Sequence, residues 1–114
     1  MDRFDVDIAS VHDGDTVTLN VKMAFGRVRE TITVPIRMGG INAPELATDA
    51  GKAALKALTD FIAAHPGQFT AQSYGNGADK YGRWLATLYA PDGTDVCAWM
   101  LTNGWAVPDS GRAA

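Results

Sequence analysis

Cysteine is almost missing from this chain of 114 residues. Cys97 stands alone, so no disulfide can close within the sequence, and a small fold held together by such staples is excluded. Long apolar runs are missing too. No stretch approaches the ~20 consecutive apolar residues that a membrane-spanning helix requires. An excess of positive charge is also lacking: ten Lys and Arg stand against thirteen Asp and Glu, a net charge of −3. A protein that grips polyanions through overall basicity is thereby excluded, and any such contact has to come from local clustering of cations. Internal repeats and low-complexity segments are absent. The start, Met1-Asp2-Arg3-Phe4-Asp5, has neither a basic segment nor an apolar one. As it stands, the sequence is expected to be cytoplasmic; a secreted origin is expected if a leader was removed ahead of a new Met1.

What is present is the composition of an ordinary globular protein, 46% hydrophobic and 20% charged. The length suits one domain, able to bury roughly 65% of its unfolded surface. That domain is expected over residues 1–109, with 110–114 as a fraying tail.

Alternation sets the first elements. Phe4, Val6 and Ile8 alternate with Asp5 and Asp7, and Val17, Leu19 and Val21 with Thr18 and Asn20, which predicts two half-buried strands about an Asp13-Gly14 turn. A second turn centred on Gly26 leads into a third strand, with Ile32, Val34, Ile36 and Met38 on one face and Thr33 and Arg37 on the other. Pro35 cannot donate to a ladder, so its N–H side is expected at an edge. Gly39 and Gly40 let the chain bend into Asn42-Ala43-Pro44-Glu45.

Thr48 reads as an N-cap, followed by a helix whose apolar stripe is Ala54, Leu58, Phe61 and Ile62 and which ends near Ala64, before Pro66-Gly67. Two further strands are expected over 68–74 and 84–90, joined by a loop over 75–79. A short helix over 95–103 is closed by Gly104. Five strands with one helix between the third and fourth form the pattern of an oligonucleotide-binding-type (OB-fold) barrel, mainly β with helices (α+β).

Three charged segments carry the chemistry: Asp13-Gly14-Asp15-Thr16, Arg37 leading to Asn42-Ala43-Pro44-Glu45, and Asp79-Lys80-Tyr81-Gly82-Arg83. Acidic oxygens and two arginines gathered in one place suit phosphodiester hydrolysis. Oxygen ligands hold a hard cation, a carboxylate handles water, and guanidinium forks neutralise phosphate. Each residue also has a plainer alternative. Asp15 can be a turn aspartate bonded to its own backbone, Glu45 a carboxylate at a helix N-terminus, and Arg37 or Arg83 half of a surface ion pair with Asp79 or Glu45.

The order and wording of these segments, with a late Asn103-Gly104-Trp105-Ala106, resemble the staphylococcal nuclease (thermonuclease) family over roughly residues 6–107. The resemblance implies a calcium-dependent nuclease, a metal-dependent phosphodiesterase that cuts DNA, and RNA as well, with little sequence preference. It makes Asp15 a direct Ca²⁺ ligand, with Asp13 shaping the turn, and adds Asn42 and the main-chain carbonyl of Ala43 to the metal site. Glu45 becomes the residue that handles water, Arg37 and Arg83 bind the scissile phosphate, and Lys80 and Tyr81 lie near the terminal phosphate.

Two departures stand out. The family places an aspartate where this chain has Asn42, which removes one negative ligand. No tyrosine follows Trp105-Ala106-Val107-Pro108-Asp109, so base stacking must come from elsewhere, such as Tyr74 or Tyr81. Trp84, Trp99 and Trp105 are expected in the core, as is Cys97, while His12 and His65 have no partner in sequence. A monomer acting on a nucleic-acid substrate, with no membrane partner, is expected. The alternative is a catalytically weakened barrel of the same type that binds nucleic acid or protein.

Overall fold

The computed structural model describes residues 3–78 and 84–109, the side chains of residues 25 and 74–78 excepted. The strand β1 (Arg3–Asp13) pairs antiparallel with β2 (Thr16–Phe25), and β2 with β3 (Val28–Met38). Phe25 and Val28 face each other across Gly26-Arg27, with Gly26 at φ 59°. Positive φ at the first turn residue alone suits a tight hairpin and favours glycine there.

The two-residue strand β4 (Ile41–Asn42) and the helix α1 (Asp49–Ala64) follow, then β5 (Phe69–Ala78) and β6 (Trp84–Tyr89). β5 pairs antiparallel with both β1 and β6, and β6 runs parallel to β3 from Ile36 to Met38. The order β1-β2-β3-β6-β5 thus closes into a five-stranded barrel, with a helix between the third and fourth long strands as the sequence predicts. The helix α2 (Val96–Thr102) and a second two-residue strand, β7 (Val107–Pro108), complete the chain.

The barrel interior is filled by Val6, Val17, Leu19, Ile36, Met38, Ala71, Ala86 and Leu88, all buried. From α1 the apolar stripe adds Ala54, Leu58 and Phe61, and from α2 come Val96, Cys97 and Met100. Each fully buried aliphatic side chain of this kind is worth about 1.5–3 kcal/mol. Burial pushes the Cys97 thiol up to about 11, so it is a packing residue and not a nucleophile. Thr48 caps α1, its hydroxyl accepting the Gly51 N–H at 3.0 Å. Gly104, at φ 78°, follows α2.

Three differences from the sequence reading have physical causes. β5 continues through Gly75-Asn76-Gly77 to Ala78, where a loop is expected, because a register shift between Ser73 and Ala78 lets it keep pairing with β6. Ile32 is exposed although Ile36 and Met38 are buried. β6 reaches β3 only at Ile36, so the outer part of the β2–β3 hairpin projects beyond the closed barrel. Pro35, paired with Thr18 on β2, falls one residue before that seam. Trp84 is 46% exposed at the start of β6 rather than in the core, while Trp99 and Trp105 pack half-buried against it. The tail 110–114 lies outside the described residues.

Candidate functional site

The first turn builds the floor of the site. The Asp15 N–H donates to Asp13 Oδ1 at 3.1 Å, so Asp13 shapes the turn and frees the Asp15 side chain to reach outward from it. A Cβ on Gly14 would come within 2.8 Å of Ala43 Cβ and 3.0 Å of Ala54 Cβ, so only glycine lets the turn lie flush against both the following loop and α1.

Asp15 is 5% exposed. Its Oδ2 accepts the Ala43 N–H at 2.8 Å and pairs with Arg37 Nη1 at 3.0 Å; its Oδ1 accepts the Thr16 hydroxyl at 3.1 Å. Burial works to raise the Asp15 pKa. The bond to Asp13, the Ala43 N–H and the Arg37 charge outweigh it, and Asp15 is held below the usual carboxylate value. Asp13 moves the other way, raised by burial first and then by its bond to Asp15. Of the two carboxyls, Asp13 therefore takes up a proton first as pH falls, and Asp15 keeps its charge.

Arg37 lies between buried Ile36 and Met38 on β3, opposite Thr16 on β2 and beside Leu85 on β6. It leaves the sheet on the face away from the core, as the alternation predicts, and meets the Asp15 turn there. Its Nη2 donates to the Ile41 carbonyl at 3.0 Å and to Asn42 Oδ1 at 3.2 Å, and lies 3.6 Å from Asp109 Oδ2. Among the described residues Arg37 pairs with Asp15 and Asp109 and not with Glu45, and its side chain is only 16% exposed; Asp79 lies outside the described residues. Among the described residues nothing accepts from its Nε–H.

Glu45 follows Ala43-Pro44 and is exposed, and among the described residues nothing pairs with its carboxylate. Its backbone is pinned instead. The Glu45 carbonyl accepts both the N–H (3.0 Å) and the hydroxyl (2.6 Å) of Thr48, which in turn caps α1. Gly51 supports the same carbonyl from the first turn of the helix. A Cβ there would overlap the Glu45 carbonyl oxygen.

The fold thus gathers Asp15, Arg37, Asn42 and Ala43 into one cluster and places Glu45 two residues beyond it on an anchored loop. Lys80, Tyr81 and Arg83 lie outside the described residues. Two supporting residues escape the sequence reading. Gly51 carries no local signal, because a glycine in a first helical turn looks like weak propensity alone. Asp109 reaches Arg37 only through β7, and a two-residue strand leaves no periodicity to detect. His12 bonds Thr18 at 2.8 Å, and His65 bonds the Phe61 carbonyl at 2.7 Å, so neither joins the cluster.

The donor set suits a hard cation. It consists of oxygen atoms only: an Asp15 carboxylate held in its charged form, the Asn42 amide oxygen and the Ala43 carbonyl, to which no described residue donates.

Comparison with known proteins agrees with the barrel fold. The family model described as staphylococcal nuclease homologue matches residues 35–111. The chain is also 31% identical over 99 residues to proteins named "Uncharacterized endonuclease" from Escherichia coli O157:H7 and Escherichia coli. Those alignments cover 87% of this chain and 57% of each relative, so the chain spans little more than half the length of the curated relatives it matches. Barrel topology and the family match converge, and the chain belongs to the family of staphylococcal nuclease homologues.

Proposed function

We propose that this chain is a calcium-dependent nuclease that hydrolyses phosphodiester bonds of DNA, and of RNA as well, with little sequence preference. The observation that carries the reading is the junction of a buried, ionised Asp15 and a fixed Arg37 with a loop that ends in an exposed Glu45 carboxylate. The name shared by the matched relatives favours cleavage within strands over mere binding.

Asp15, the Asn42 amide oxygen and the Ala43 carbonyl would hold the calcium. When bound, that ion supplies positive charge to the phosphoryl oxygens and lowers the pKa of nearby water. Glu45 takes the proton from the attacking water at its carboxylate. Arg37 offers its Nε–H, which has no described acceptor, and its charge to the phosphoryl oxygens, and Arg83 is the second guanidinium in this role. Lys80 and Tyr81 hold the neighbouring phosphate. None of these groups reads a base edge, which is the physical reason for weak sequence preference.

The net charge of −3 leaves this local cluster to oppose a repulsive background, so binding should weaken steeply as salt rises. The reading is tested by incubating labelled single-stranded and double-stranded oligonucleotides with the protein in calcium and then in excess chelator. Fragments in calcium and intact substrate in chelator are expected. Substrate that is bound yet uncut in both would make the chain a binding module.

A further inference from the structure

Asp109 reaches the site by a route independent of the sequence motifs. β7 pairs antiparallel with β4, setting Ile41 opposite Pro108 and Asn42 opposite Val107, and the Asp109 N–H donates to the Gly40 carbonyl at 3.1 Å. That pairing carries the Asp109 carboxylate to within 3.6 Å of Arg37 Nη2, with its own side chain only 18% exposed. Asp15 meets the other terminal nitrogen, Nη1, at 3.0 Å. One guanidinium is thus held between two carboxylates on different nitrogens, and these come from opposite ends of the fold.

We infer that Asp109 is a positioning residue that fixes the Arg37 guanidinium for phosphate. This rests on the proposed contact between Arg37 and the scissile phosphate. Contacts at Nη1 and Nη2 restrain rotation of the planar guanidinium, while the Nε–H remains without a described partner. Asp109 itself sits too far from Nη2 for a hydrogen bond and acts through its charge, in a partly buried setting where screening is weak. The Ile41 carbonyl and Asn42 Oδ1 both accept from Nη2, so phosphate meets Arg37 from another side and does not have to displace Asp109.

The test is steady-state cleavage at saturating calcium by the wild type, Asp109→Asn, and Asp109→Asn combined with Asn42→Asp. Position 42 contacts the same Nη2 as Asp109, so the second change returns a negative charge to the same nitrogen. The single variant should lose roughly tenfold in kcat with KM within about twofold, because misplacement of a catalytic donor costs rate more than ground-state binding. The double variant should recover most of that loss. In ¹⁵N-arginine spectra, rotation of the Arg37 terminal groups should quicken in the single variant and slow again in the double.

Unchanged kcat in Asp109→Asn overturns the inference. A fall in KM also overturns it, because Asp109 would then be a competitor for the phosphate position. So does a loss of kcat that follows a lowered Tm and is not rescued, which would make the contact only a strap. A wild type that binds calcium and substrate yet does not cut overturns both this inference and the reading on which it rests.

Discussion

A single buried carboxylate organises the site. Asp15 accepts from Ala43 and Thr16 and pairs ionically with Arg37, and its main-chain carbonyl also accepts the Met38 N–H at 2.8 Å. It was legible in the sequence because Asp-Gly-Asp-Thr at a predicted strand start is a local pattern. Arg37 was legible from strand alternation, but its partners were not. Asp15, 22 residues earlier, and Asp109, 72 residues later, meet it only through barrel closure and the β4–β7 pair. Asn42 is the residue where chemistry and pattern diverge. Its amide oxygen is an oxygen donor without charge, and Asn42→Asp adds one beside the proposed cation. Attraction at about 2.4 Å, opposed by desolvation and by Asp15, should leave a net gain of roughly five- to thirtyfold in affinity. Calcium titration of cleavage should therefore show a lower half-maximal concentration for Asn42→Asp; an unchanged concentration would remove position 42 from the metal shell.

At the scale of elements, the N-terminal turn of α1 sets where Glu45 stands. Thr48 was legible as an N-cap, since a hydroxyl residue before an apolar stripe has a mechanical reason to be there. Less legible was the contact behind it, Gly51 against the Glu45 carbonyl, because close approach of two backbones depends on tertiary packing. Gly51→Ala would ordinarily favour a helix, yet here its methyl group would have to displace the loop. We expect a loss of about 1–3 kcal/mol in unfolding free energy and a fall in turnover as Glu45 moves. Denaturant unfolding together with cleavage rate checks this, and a variant as stable and as active as the wild type would contradict the packing described. The strands tell a similar story. β1 to β3 followed from alternation and turn residues, whereas the length of β5 depends on its shifted register with β6, and the exposure of Trp84 on where β6 joins β3, which no local pattern encodes.

For the molecule as a whole, closure of the barrel and the β4–β7 pair bring the Asp15 turn, Arg37 on β3, Asn42 and Asp109 into one cluster. The parallel β3–β6 seam from Ile36 to Met38 fixes Arg37 beside β6, and α1 and α2 bury the end of the barrel against which the Asp15 turn rests. No helix among the described residues is long and apolar enough to cross a membrane. On the proposed function, this cluster cleaves phosphodiesters with Glu45 as the group that handles water. Glu45 is exposed and unpaired among the described residues, so Glu45→Gln should leave the fold intact while removing the basic carboxylate. The direct measurement is the single-turnover rate of oligonucleotide cleavage at saturating calcium, wild type against Glu45→Gln. A fall of roughly 10²-fold or more is predicted. Rates within about twofold of each other, from two equally folded proteins, would remove Glu45 from the reaction.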